Sequence, residues 1–281
     1  MTTVGAQSSE LVAPLISRAL EVLAGRRIAV LTGAGVSTDS GIPDYRGDGA
    51  PRRTPMTLQD FMGDDAKRRR YWVGSHLGWR TFSTTRPNQG HHALAGLEAA
   101  GVVAGLVTQN VDGLHLRAGS RQVVELHGDM RGVTCLDCRT RFSREEVAVR
   151  LERDNPALAL PGGVELGPDG DVMPESWENV TVPDCSVCAG ILKPDVVFFG
   201  ELVPAARTRA AEQVVDDAEA LLVAGSSLAV NSGLRLVSRA HRRGAPIVII
   251  NRGATKGDRR ADVKIDAGTT ETLEALASAL A

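Results

Sequence analysis

Apolar positions along this chain come in two rhythms. Leu11, Leu15, Ile16, Ala19, Leu20 and Leu23 fall at helical spacing and stop at Gly25, so they predict a helix. The run Ile28 to Leu31 follows at once and reads as a buried strand. Strand-like runs also cover Val102 to Val107, Val123 to Leu126, Val196 to Phe199, Leu221 to Ala224 and Ile247 to Ile250. Helical patterns occupy Gly90 to Ala100, Ala205 to Ala218 and Gly233 to Arg243. Alternation of this kind predicts an α/β chain with a doubly wound parallel sheet.

Two stretches break the alternation. About 70 residues separate the first two strands, where a crossover needs only about a dozen. Thr32 to Pro55 reads as a long functional loop and Asp64 to Phe82 as a helix, a helical insertion spanning about 32–85. The second interruption, Thr134 to Lys193, is loop-rich and holds all four cysteines. The expected organisation is therefore a sheet domain from 1–133 and 190–281, with a small metal-organised module at 134–189.

Composition narrows the choices. Aromatic residues are only 4% of the chain, so its core must be built from Val, Leu, Ile and Ala, which suits strands covered on both faces. A net charge of −2 gives no electrostatic case for an obligatory nucleic acid or anionic membrane partner. The basic run Lys67 to Arg70 reads as a solvated helix face. No apolar stretch is long enough for a membrane span, and no basic start leads into an apolar run as in a signal peptide. The expected location is the cytoplasm.

Cys135, Cys138, Cys185 and Cys188 form two C-x-x-C pairs separated by 46 residues. Four thiolates in two knuckles suit a closed tetrahedral zinc site with no position left for substrate, hence a structural metal. The rival readings are a redox dithiol pair or free buried thiols.

Chemistry gathers at the strand ends. The first strand runs into TGAGVSTDSGIPDYRG, Thr32 to Gly47, where Gly33 and Gly35 would let backbone amides approach a phosphate. A dinucleotide fingerprint would continue with Gly or Ala at position 38, which is Thr. The loop instead ends in Pro43, Asp44, Tyr45 and Arg46, so a cofactor would be covered rather than open for hydride transfer, which counts against a dehydrogenase. The second strand ends in TQNVDGLH, so Gln109, Asn110 and Asp112 lie at the mouth of the sheet and suit a ribose and a carboxamide. His127, at the end of the neighbouring strand, is a candidate general base. Gly225 to Val230 and Asn251 to Gly253 fit either the phosphate and adenosine end of a dinucleotide or ordinary βα turns.

In this order, GAGVSTDSGIPDYRG, TQNVDGLH, ELHG, the Cys pairs, LKPDVVFFGE, GSSLAV and NRG resemble the sirtuin family of NAD-dependent protein deacylases over about Ile28 to Asp266. The wording of GIPDYRG and LKPDVVFFGE is similar to the class II subgroup, which includes a mitochondrial sirtuin and many bacterial ones. The resemblance implies a Rossmann-like sheet with a zinc-binding domain. It also implies that Gly33, Ala34, Gly35, Ser37, Asp44, Tyr45 and Arg46 hold NAD in a mobile loop. Gln109, Asn110, Val111 and Asp112 would position the nicotinamide and its ribose, with Asn110 and His127 catalytic. Gly225, Ser226, Ser227, Asn251, Arg252, Gly253 and Thr269 would take the phosphate and adenosine half, and Val197, Phe198 and Gly200 the acyl-lysine protein substrate. The implied products are nicotinamide, O-acyl-ADP-ribose and free lysine.

Departures from the family pattern are Tyr45 where many members have Phe, Ser226 where many have Thr, and the long gap between the Cys pairs. Members that prefer succinyl or malonyl groups carry a Tyr and an Arg in the acyl tunnel. Gly47 to Thr54 offers no Tyr, though Arg52 and Arg53 leave an acidic acyl chain open. The rival functions are mono-ADP-ribosyl transfer to protein, which uses the same activated ribose, and a non-catalytic NAD or ADP-ribose sensor, which would need no base.

Overall fold

The computed structural model describes residues 4–45, 55–156, 158 and 167–281. Its elements are α1 (Val4–Leu23), β1 (Ile28–Thr32), α2 (Leu58–Gly63), α3 (Asp65–Thr84), α4 (Gln89–Ala99), β2 (Val103–Thr108), α5 (Leu114–Ala118), β3 (Val123–Glu125) and β4 (Gly128–Cys135). They continue with β5 (Arg141–Ser143), α6 (Arg144–Asp154), β6 (Leu192–Val196), α7 (Ala205–Asp216), β7 (Ala220–Ala224), α8 (Asn231–Arg242), β8 (Ile247–Ile250), β9 (Val263–Ile265) and α9 (Thr269–Leu280).

Six parallel strands form one sheet in the order β3-β2-β1-β7-β8-β9. Successive side chains of a strand point to opposite faces, so one apolar run feeds two cores. Ile28, Val30, Leu222 and Val248 pack with Ala19, Leu94 and Leu273 from α1, α4 and α9. Ala29, Leu31, Val223 and Ile249 pack with Val215 and Val237 from α7 and α8. Truncating one of these buried leucines to alanine would cost about 2–5 kcal/mol. The strand order turns at β1, which has β2 on one side and β7 on the other. A ligand crevice belongs outside the carboxyl ends of the strands at such a switch point.

A second, antiparallel sheet has the order β5-β4-β6. It begins at Gly128 and ends at Val196, so it reaches past both ends of 134–189. Its core is shared with the helical insertion: Phe61 and Trp72 from α2 and α3 pack with Met130, Val133, Leu192 and Cys135. Here the expected strand Val196 to Phe199 is corrected. The strand is Leu192–Val196, it belongs to the antiparallel sheet, and Val197 to Phe199 continue beyond it. Strand β9 and helix α9, absent from the sequence reading, complete the parallel sheet and one of its covering layers.

Candidate functional site

A cleft of about 1530 Å³ opens at the carboxyl ends of β1, β2, β7 and β8. It is lined by Gly33, Ala34, Gly35, Asp44, Tyr45, Gln109, Asn110, Val111, His127, Val197, Phe198 and Gly200. Gly225, Ser226, Ser227, Asn251, Arg252, Gly253 and Thr269 complete the expected residues on its wall. Ser37 and Asp112 are buried behind that wall. Arg46 lies outside the described residues, as do Arg52 and Arg53.

The glycines after β1 serve a purpose the sequence reading did not anticipate. Gly33 and Gly35 donate their amides to the carbonyls of Ala224 (3.1 Å) and Gly225 (2.9 Å), not toward the cleft. A Cβ at Gly33 would lie 2.8 Å from the Gly225 oxygen, and one at Gly35 would lie 2.9 Å from the Gly225 Cα. Gly225 itself has φ +64, and a Cβ there would overlap the Val36 amide. Three glycines thus press the β1 and β7 loops together and shape the crevice floor.

Under this floor lies a polar network. The Ser37 hydroxyl donates to Asp112 Oδ2 at 2.8 Å and accepts from Asn110 Nδ2 at 3.1 Å. Asp112 Oδ1 accepts from the Leu114 amide at 2.8 Å. Burial raises the Asp112 carboxyl above its usual range, against the opposing pull of the Leu114 and Ser37 hydrogen bonds. His91 Nε2 lies 3.5 Å from Ser37 Oγ, and its ring sits 4.7 Å from that of His115, whose Nε2 meets Thr32 Oγ1 at 2.9 Å. Burial drives His91 down to about 4 and His115 well below the ordinary value, so both are neutral props. The pair His91–His92 in the helical run Gly90 to Ala100 carries no signal of this role.

His127 is half-buried at the junction of the two sheets. Its Nδ1 lies 2.9 Å from the Gln109 carbonyl, and since a carbonyl only accepts, the proton sits on Nδ1. Nε2 is then the basic nitrogen, facing the Ser232 hydroxyl at 2.8 Å. Burial lowers the His127 pKa, with the Gln109 carbonyl opposing and the Arg207 charge adding to the fall. The imidazole is therefore neutral at physiological pH. Gln109 is pinned in turn, its Nε2 donating to Ser226 Oγ at 2.7 Å.

The segment Val197 to Gly200 is aligned from both ends. The Val197 amide donates to the His127 carbonyl at 2.8 Å, and the Phe199 carbonyl accepts from Leu58 at 3.0 Å. Buried Lys193 donates to the Val196 carbonyl at 2.6 Å, pairs with Glu201 at 3.1 Å and lies 4.8 Å over the Phe198 ring. Glu201 also accepts from the Phe198 amide at 2.9 Å. Lys193, Glu201 and Ser232 were not singled out from sequence. Each acts through a neighbour: Lys193 and Glu201 stand at the two ends of LKPDVVFFGE, but their pairing is not read from the motif.

The four cysteines converge. Their sulfurs all lie within 4.8 Å of one another, Cys135 with Cys188 at 3.5 Å and Cys138 with Cys185 at 3.6 Å. Zinc–thiolate bonds of about 2.3 Å in a tetrahedron would put sulfurs about 3.8 Å apart, so the set fits zinc and all four positions are taken by protein. The knuckles are twins: the Arg139 amide donates to Cys135 and the Ala189 amide to Cys185, with φ 64 and 58 at those two residues. No disulfide links them.

One chain thus combines a crevice at the switch point of a parallel sheet, a neutral histidine and a four-thiolate centre. Residues 33–232 match the Sir2 family, and the chain belongs to it. It is 52% identical to NAD-dependent protein deacetylase 1 of Mycobacterium avium (strain 104), over 100% of this chain and 98% of that one. NAD-dependent protein deacetylase 1 of Streptomyces coelicolor is 51% identical over 85% of this chain and 81% of its own length. A solved structure described as Sir2 with a p53 peptide and NAD+ superposes with a TM-score of 0.76 at 30% identity, covering 92% of this chain and 95% of that one.

Proposed function

We propose that this chain is an NAD-dependent protein lysine deacylase, producing nicotinamide, O-acyl-ADP-ribose and free lysine. The observation that carries the reading is His127, a neutral imidazole whose proton is committed to Gln109 and whose basic Nε2 stands where the crevice meets the Val197 to Gly200 segment. A sensor would have no use for a base so prepared. Sirtuin relatives are named as NAD-dependent protein deacetylases, and the related solved structures include one with an acetylated peptide.

NAD, as co-substrate, supplies an anomeric carbon that becomes reactive as nicotinamide leaves, and the acyl oxygen of the lysine substrate attacks it. Gln109, Asn110, Val111 and Asp112 serve the nicotinamide ribose; Ser37 holds Asn110 and Asp112 in register. Gly225, Ser226, Ser227, Asn251, Arg252, Gly253 and Thr269 serve the phosphate and adenosine end, while Val197, Phe198 and Gly200 take the acyl-lysine segment by main-chain pairing. His127 accepts a proton at Nε2 from a ribose hydroxyl, whose oxygen attacks the acyl carbon; the carbon–nitrogen bond then breaks to free the lysine amine, and water adds to the acyl carbon so that the acyl group remains as an ester on the ribose. The parallel sheet and its covering helices form the NAD unit, and the zinc held by Cys135, Cys138, Cys185 and Cys188 organises the module whose sheet runs from Gly128 to Val196 without touching the reaction. Among the described residues no helix is long and apolar enough to cross a membrane. Thiolates kept for a metal suit the reducing cytoplasm, which is the location we assign.

The test is incubation with NAD and acetyl-, butyryl-, lipoyl-, glutaryl- and succinyl-lysine peptides, read by mass spectrometry beside His127→Ala. The expected result is NAD-dependent loss of one acyl class, reduced about 10²–10⁴-fold in the variant while NAD still binds. Label from NAD retained on protein, with no deacylation, would favour ADP-ribosyl transfer.

A further inference from the structure

Two departures from the sirtuin pattern, Tyr45 and the long segment between the cysteine pairs, meet in space. The Tyr45 hydroxyl donates a hydrogen bond to Asp169 Oδ1, which lies in that segment. Asp169 is 124 positions away in sequence, and both residues line the cleft. The segment is seated on α3. The Val172 amide donates to the Gly74 carbonyl at 3.1 Å, and Val172 packs on Val73 and Leu77. A Cβ at Gly74 would overlap the Val172 carbonyl, and one at Gly78 the Gly170 carbonyl, so α3 is shaved to receive this backbone. Tyr45 also stands edge-on to Phe199, with ring centroids 6.2 Å apart.

We infer that Asp169 is a positioning residue, which holds the Tyr45 ring as a cover over the nicotinamide end of the cleft. This rests on the NAD-dependent reading above. Phenylalanine at position 45 keeps the ring but cannot reach the insertion, so the hydroxyl and the carboxylate form one device. Partial burial and the neighbouring Asp171 push the Asp169 carboxyl up to about 6 while the Tyr45 hydrogen bond opposes this; it is still an ionised acceptor at neutral pH.

Calorimetry on the full chain would measure NAD and ADP-ribose binding for the wild type, Tyr45→Phe, Asp169→Ala, Asp169→Asn and the Tyr45→Phe/Asp169→Ala double variant. A hydrogen bond to a charged group predicts that Tyr45→Phe and Asp169→Ala each weaken NAD by about tenfold, with the double variant no weaker than the worse single one. Asp169→Asn, whose amide oxygen still accepts but carries no charge, falls between the wild type and Asp169→Ala. ADP-ribose, which lacks nicotinamide, binds all variants alike. Additive losses, equal losses for ADP-ribose, or an Asp169→Asn variant no better than Asp169→Ala overturn the proposal. Wild type that binds NAD but removes no acyl group would sink the deacylase reading alone, leaving the cover intact.

Discussion

The two walls of the cleft are made by different physics. One wall is the row of carboxyl ends of β1, β2, β7 and β8, where residues are placed by parallel pairing and by glycines that let backbone meet backbone. The other is assembled from α3, the antiparallel sheet and the segment carrying Asp169, which are brought together by side chains and by four thiolates. In the first wall each residue follows directly on a strand and distant segments meet because parallel pairing brings the strand ends together, whereas in the second they meet through side-chain packing and the cysteines. Of the departures from the family pattern, Ser226 falls on the first wall and the long gap between the cysteine pairs on the second, while Tyr45, in the loop after β1, hydrogen-bonds across to Asp169 in that gap.

Metal removal gives the largest expected separation. Zinc contributes roughly 10–16 kcal/mol to structural sites of this kind, so stripping it by a strong chelator should melt the β5-β4-β6 sheet. Colorimetric titration should find one zinc per chain released. Circular dichroism should show partial loss of structure, and deacylation should vanish. Because the parallel sheet has its own two cores, NAD binding should weaken less than turnover. Complete loss of NAD binding with the metal would show that the walls are not independent.

A smaller effect, confined to the first wall, is expected from Gly225→Ala. The residue sits at φ +64, and the added methyl would overlap the Val36 amide, so strain and steric clash together should cost about 3 kcal/mol or more. Urea unfolding would read this as a lower midpoint with unchanged slope. NAD binding should fall in the same variant while the zinc content stays at one. A variant as stable as the wild type would mean that the two loops can part without loss, and that the crevice floor is not set by their contact.

The contrast also governs what could be read from sequence. Five of the six parallel strands announced themselves as apolar runs covered on both faces, but β9 has only Val263 and Ile265 to show and passed unnoticed. Gly33, Gln109, Asn110, His127 and Gly225 were legible because each follows directly on a strand, and strand ends converge by topology. The cysteines were legible because knuckle spacing is a chemical signature. Val196 to Phe199 misled because its apolar run is as suited to a sheet as Leu192 to Val196, and the choice was made by distant partners: β4 pairing and the Lys193–Glu201 clamp. Asp169, Ser232 and His91 were invisible for the same reason, since hydrogen bonds across long sequence separations leave no periodicity behind, and His115, though inside TQNVDGLH, shows its role only through Thr32, 83 positions away.

The smallest expected effect comes from Ser232, which hydrogen-bonds His127 where the walls touch. Its base must be neutral to accept a proton, so kcat/KM should rise with pH as His127 loses its proton and level off above. The folded pKa is depressed, hence the half-rise should fall below about 6.5. The first cause of that depression is burial, with the Gln109 carbonyl opposing it, and neither depends on Ser232. Ser232→Ala removes one neutral hydrogen bond at Nε2 and should lower kcat/KM only about threefold to tenfold, with the acid limb in place. Rates measured from about pH 5 to 9 on the variant and the wild type decide it. A limb displaced above 6.5, or a loss as deep as that of His127→Ala, would mean that α8 shares in setting the base, and that the parallel-strand wall does not prepare the imidazole by itself.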